Sequence, residues 1–98
     1  MSENIVILDG KSISTEADFH HEISKKLMFG DYYGNNLNAL WDRLSCDIER
    51  PITIIWADSN HSCQCLGDKF EKIVGIFNRV KQQDIDFDFD DKFDYQLR

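Results

Sequence analysis

PITIIW, Pro51 to Trp56, decides the fold of this 98-residue chain. The only proline stands before a run that is nearly all apolar, the pattern of a strand covered on both faces and flanked on both edges. It belongs at the centre of a sheet. Its neighbours must come from elsewhere in the sequence, and the segments between them decide whether the sheet is parallel.

On the N-terminal side, Asn4-Ile5-Val6-Ile7-Leu8 is a short β-branched run closed by Asp9-Gly10, which reads as a first strand and a turn. Thr15-Glu16-Ala17-Asp18 resembles a capping box with Asp in the usual Glu position, and Phe19, Ile23 and Leu27 follow in one helical stripe that Gly30 stops. A second helix, capped by Asn35 or Asn36, carries Leu37, Leu40, Trp41 and Leu44 at i, i+3, i+4 and i+7. On the C-terminal side, Ala57 to Leu66 is polar and irregular, with room for a helical turn. Phe70, Ile73, Val74, Phe77 and Val80 then mark a third long helix. Ile85-Asp86-Phe87-Asp88-Phe89 alternates strictly, so it is assigned as an edge strand, and Asp90 to Arg98 is left as an acidic tail, frayed or docked through Phe93, Tyr95 and Leu97. Helical crossovers between successive strands give an α/β fold with a parallel sheet packed by helices.

Composition admits one domain, residues 1–98: 42% hydrophobic and 12% aromatic residues supply a core, and the length leaves no room for a second. The net charge of −7 argues against direct nucleic-acid binding and favours a basic partner. No apolar run approaches the roughly 18 residues that cross a membrane, and Met1-Ser2-Glu3-Asn4 lacks the features of a secretory signal, so a cytoplasmic location is expected. Three cysteines cannot close a disulfide framework and are expected to be free thiols.

The segment before the second helix is the unusual one. Two adjacent tyrosines at a glycine bend, Tyr32-Tyr33-Gly34, suit either a contact surface or a cover for the end of the sheet, and Gly34 suits a turn with positive φ. At about 100° per residue, Asn38 and Asp42 share the face opposite the leucine stripe and point outward, while Trp41 lies on the margin between the two. On the third long helix, Ile76 falls off the apolar stripe beside Arg79 and is expected near solvent.

Taken together, DYYGNNLNALWDRL (Asp31–Leu44) and ERPITIIW (Glu49–Trp56) resemble the barstar family of intracellular ribonuclease inhibitors. The resemblance covers most of the chain and implies a three-stranded parallel sheet in order 1-2-3, with a cis Arg50–Pro51 bond. It further implies inhibition by plugging: loop 31–36 and acidic helix 36–46 enter a ribonuclease active site, probed most deeply by Asp42. Tyr32, Gly34, Asn36, Leu37, Asn38 and Trp41 fall on the family's contact positions in the loop and helix, and Ile76 and Arg79 on two more. Three departures stand out. The family has an aspartate at the Asn38 position, a glutamate at the Arg79 position and a contacting tryptophan at the Asp47 position. A carboxylate exchanged for arginine reverses the local field, so a different cognate nuclease is expected.

The implied function is that of an immunity protein, which neutralises a ribonuclease toxin of a competing neighbour or of the cell itself. The partner is a ribonuclease with a basic active site, bound 1:1, and no cofactor or membrane is involved. Other classes stay open. His61, Cys63 and Cys65 place three potential zinc ligands within five residues, with His20 and His21 elsewhere, but C-x-C with one nearby His lacks the second pair of a usual site. Asp84 to Asp94 lacks the glycine and terminal glutamate of a calcium loop, and no phosphate loop or nucleophile elbow marks an enzyme. A non-inhibitory adaptor that binds another protein through the same face is the remaining alternative.

Overall fold

The computed structural model describes residues 4–30 and 32–98. Three parallel strands, β1 (Asn4–Asp9), β2 (Ile52–Ala57) and β3 (Phe93–Leu97), form a sheet in the order β1-β2-β3, with Ile7 opposite Ile55 and Ile54 opposite Tyr95. Four helices pack with it: α1 (Glu16–Leu27), α2 (Leu37–Asp42), α3 (Ser59–Leu66) and α4 (Asp68–Asp86). β2 lies at the centre, as its apolar run implies, and the Arg50–Pro51 peptide before it is cis.

Helices cover one face of this sheet, not both. Leu8, Ile52, Ile54 and Trp56 are buried, whereas Ile5 and Ile7, which share the other face with Thr53 and Ile55, remain 58% and 53% exposed. The uninterrupted apolar run of β2 therefore reflects its central place, where side chains of neighbouring strands shield even the uncovered face. On the covered side Trp56 is the hub. Its ring stacks on Phe19 of α1 at 5.2 Å, lies 4.9 Å from Phe70 of α4, and donates Nε1–H to Ser62 Oγ of α3 at 3.0 Å.

The start of α1 is set locally. Thr15 Oγ1 accepts from the Asp18 amide at 3.1 Å while the Asp18 carboxylate accepts from the Thr15 amide at 3.2 Å, so the capping box forms with Asp in the third position. Met28 then closes the helix in the left-handed conformation, two residues before Gly30.

Three further expectations are corrected. Ala57–Leu66 is not irregular, because eight of these residues form α3, whose buried Ser59, Ser62 and Leu66 recur at helical spacing. The edge strand is Phe93–Leu97, and Ile85-Asp86 is the last turn of α4, followed by a bend at Phe87–Asp88. Both runs alternate, but burial separates them: Phe93 is 1% exposed beside Ile52, while Phe87 and Phe89 are 65% and 40% exposed. The third concerns Ile76, which is only 8% exposed. α2 lies across α4 and covers it, so an apolar residue off its own helix's main stripe finds its partner on another helix.

Gly75, one residue earlier, occupies the interior of α4. A Cβ built there meets no atom of the surrounding structure within 4 Å, so close packing does not require the glycine. It costs the helix about 0.5–1 kcal/mol relative to alanine.

Candidate functional site

The site is built on the loop between α1 and α2. Phe29 and Tyr33 turn inward, at 6% exposure each and ring centroids 4.8 Å apart, while Tyr32 turns outward and is 95% exposed. The two tyrosines thus divide the uses left open for them: one covers the core, the other faces solvent. A hydrogen-bonded chain holds the inner one. The Glu16 carboxylate can only accept, so the Nε2–H of His20 donates to Glu16 Oε2 at 3.0 Å, and in that tautomer Nδ1 accepts from the Tyr33 hydroxyl at 2.7 Å. Burial, reinforced by the Glu16 carboxylate and opposed by Arg43, pushes the Tyr33 phenol up, so it stays protonated as the donor this geometry needs.

Asn36 is the cap of α2. Its Oδ1 accepts from the Ala39 amide at 2.8 Å and its Nδ2 donates to the Gly34 carbonyl at 3.1 Å, tying the helix start to the loop. Gly34 does not supply a positive φ; Asn35 does, at 53°. Gly34 instead makes room for the cap, since a Cβ there would stand 3.1 Å from Asn36 Nδ2 and 3.4 Å from Ala39 Cβ.

Along α2, Leu40 and Leu44 are fully buried, Leu37 and Trp41 half-buried, and Asn38 and Asp42 exposed one turn apart. The Asp42 carboxylate has no hydrogen bond or ion pair among the described residues. It is a solvated charge at the end of a ridge. Beside it, the Arg79 guanidinium of α4 lies over the Trp41 ring, 4.6 Å from its centroid, so the indole is clamped between core and cation. Leu37, Asn38, Trp41 and Ile76 share a groove of about 400 Å³ with Arg79, Gly75 and Lys72. The side chain of Asp47 and the whole of Asp31 lie outside the described residues.

Past Asp42 the helix widens into a π turn, Arg43–Asp47, and Arg50 secures its far end. Arg50 donates from Nη2 to the Leu44 carbonyl at 2.9 Å, from Nη1 to the Ile48 carbonyl at 3.1 Å, and from Nε to Asp84 Oδ2 at 2.7 Å. Asp84 is fully buried and also accepts from the Phe93 amide at 2.7 Å. One carboxylate therefore links α4, the entry to β3 and the end of α2. The acidic run that could have suggested calcium begins with this structural ion pair.

The cysteine and histidine cluster lies on α3. His61 and Cys65, one turn apart, approach to 3.7 Å, Ser14 Oγ stands 3.4 Å from the same His61 nitrogen, and Cys63 and Cys65 are exposed free thiols. Among the described residues, no three His, Cys, Asp or Glu side chains come together as a metal site. Cys63, two residues after His61, points about 200° around the helix from it.

Comparison with known proteins decides the lineage. Residues 3–95 match the family model described as "Barstar (barnase inhibitor)". The chain belongs to the barstar family. A barstar-like relative in Bacillus subtilis (strain 168), described as "Putative ribonuclease inhibitor YrdF", is 30% identical over 78 residues, covering 80% of this chain and 86% of that protein. The observed 1-2-3 parallel sheet with four helices agrees with the barstar-like architecture. Among the described residues, no helix of this barstar-like chain is long and apolar enough to cross a membrane.

The ten positions named from the sequence are not equivalent in space. Tyr32, Gly34, Asn36, Asn38, Asp42 and Arg79 are exposed on the loop and on α2 and α4. Leu37 and Trp41 are half-buried, and Ile76 lies beneath them as part of the groove. Sequence reasoning missed Lys72 and Gly75 in this groove and the His20–Glu16 support of the loop. Lys72 precedes Ile76 by four residues and Arg79 by seven, and Glu16 precedes His20 by four. The helical periods were the available signal.

Proposed function

We propose that this barstar-like protein inhibits a ribonuclease toxin by covering its active site with loop 32–36 and α2, and so serves as an immunity protein inside the cell that makes it. The observation that carries the reading is the exposed Asp42, unpaired among the described residues, on a ridge whose underside is locked into the core. A ribonuclease active site gathers cations to hold RNA phosphates. A carboxylate presented on a rigid helix can occupy that field without rearranging. The net charge of −7 favours rapid encounter with such a partner, which matters when free nuclease degrades the cell's own RNA.

Tyr32, exposed on a loop pinned from behind by Tyr33, offers a flat contact surface at the entrance, and Trp41, its ring face covered by Arg79, offers an edge beside it. Asn38 in place of a carboxylate and Arg79 in place of another adjust the charge pattern to a particular enzyme. The partner is a ribonuclease with a basic active site, bound 1:1, with no direct contact between this protein and nucleic acid. Co-expression with a candidate toxin from the same cell, scoring survival and RNA integrity, tests the reading. Protection is the expected result; failure to protect against any basic ribonuclease would favour the adaptor role instead.

A further inference from the structure

We infer that the groove between α2 and α4 receives an acidic loop of the ribonuclease, with an apolar side chain on the groove floor and a carboxylate at a rim formed by Lys72 and Arg79. The inference rests on the inhibitor reading and adds to it a second, oppositely charged contact beside Asp42.

Trp41, Leu37 and Ile76 give the groove an apolar lining, and its volume of about 400 Å³ exceeds a single side chain and suits a short peptide segment. Lys72 and Arg79 stand seven residues apart on α4, on one face and roughly 10 Å apart along the axis. In a chain of net charge −7, neither has a carboxylate partner among the described residues. Arg79 lays the face of its guanidinium on Trp41, and among the described residues the N–H groups in its plane make no hydrogen bond and can meet a carboxylate. The charge of the rim therefore selects an acidic occupant.

Gly75 is the second observation. It weakens α4, yet the space above it is empty and the fold would accept a side chain there. What the missing side chain provides is the opening itself. A residue that opens a groove at the cost of helix stability, on the face that carries the proposed contacts, is explained by what enters the groove.

The test uses the capped dipeptide acetyl-leucyl-glutamyl amide, with its uncharged glutaminyl analogue as control, titrated into the isotopically labelled protein and followed by NMR. Saturable shifts are expected at the Trp41 indole N–H and the amides of residues 72–79, at least fivefold weaker for the glutaminyl probe. Gly75→Leu should abolish them while leaving the urea midpoint unchanged or higher, because leucine is the better helix former and its Cβ enters open space. Arg79→Glu, an exposed substitution that should not disturb folding, should abolish the preference for the acidic probe. Absence of these shifts in the wild type, equal binding of both probes, or shifts that survive Gly75→Leu would overturn the inference. No ribonuclease enters the assay, so failure here leaves inhibition standing, and failure to protect in co-expression leaves the groove as measured.

Discussion

Replacing Asp84 by alanine should unfold the protein more readily than any surface change near the proposed site. Asp84 is fully buried and accepts three hydrogen bonds: Arg50 Nε at 2.7 Å, Arg50 Nη2 at 3.1 Å and the Phe93 amide at 2.7 Å. Alanine removes all three and strands a guanidinium that is only 12% exposed. Loss of one partner of a buried ion pair costs about 3–5 kcal/mol, a large part of the roughly 5–15 kcal/mol that stabilises a domain of this size. At about 4 °C or more per kcal/mol for a chain of this length, the melting temperature should fall by at least about 12 °C. Urea denaturation followed by tryptophan fluorescence measures the change, with an unaltered m-value as the check that both states stay comparable. Asp84→Asn keeps an acceptor for the Phe93 amide and should lose less. Because Arg50 also holds the Leu44 and Ile48 carbonyls, hydrogen exchange should quicken at residues 43–48 in Asp84→Ala before it does in α1. A loss below about 1 kcal/mol would refute the reasoning, since it would mean that the pair contributes no more than an exposed one.

Asn36→Ala removes the cap of α2 and its tie to Gly34, and should cost about 1 kcal/mol in urea denaturation, with faster amide exchange at residues 37–39 as the local signature. Tyr33→Phe leaves the buried His20 Nδ1 without its donor and should cost about 1–3 kcal/mol at neutral pH. Its pH dependence is also fixed in sign. The folded phenol titrates above the ordinary value of 10.0, so its contribution is complete below about pH 10 and is lost at higher pH, by up to about 1.4 kcal/mol per unit. Tyr33→Phe should therefore flatten the alkaline fall in stability, and an identical alkaline profile in the variant would contradict the assignment. Raising sodium chloride from 50 to 500 mM should slow association with the ribonuclease by at least about tenfold in stopped-flow fluorescence, with a smaller change in the dissociation rate.

Where local chemistry decides the structure, the sequence was readable. The Thr15–Asp18 box, a cap at Asn35 or Asn36 and the leucine stripe of α2 are set within a few residues, and β2 announced its central place through composition. β3 was not readable because two alternating runs follow one another, and only the pairing of Phe93 with Ile52 chooses between them. Ile76 was misplaced for a related reason: a helical wheel sees one helix, and its burial comes from a second laid across it. Asp84 looked like one more charge in an acidic tail. Its partner, Arg50, is 34 residues away and invisible to any local pattern. On the site itself, the outward direction of Asn38 and Asp42 follows from periodicity alone, whereas the Arg79–Trp41 stack and the groove around Gly75 need the packing of α2 on α4.

Titration of the ribonuclease identified by co-expression with wild-type protein and with Asp42→Ala bears most directly on the inhibitor role. Wild type should extinguish RNA cleavage at one equivalent. The variant, with unchanged urea stability, should show an inhibition constant at least roughly 30-fold higher when assayed with the nuclease diluted below that constant, the least expected of a central contact residue. An inhibition constant unchanged in Asp42→Ala would show that the α2 ridge does not occupy the nuclease active site.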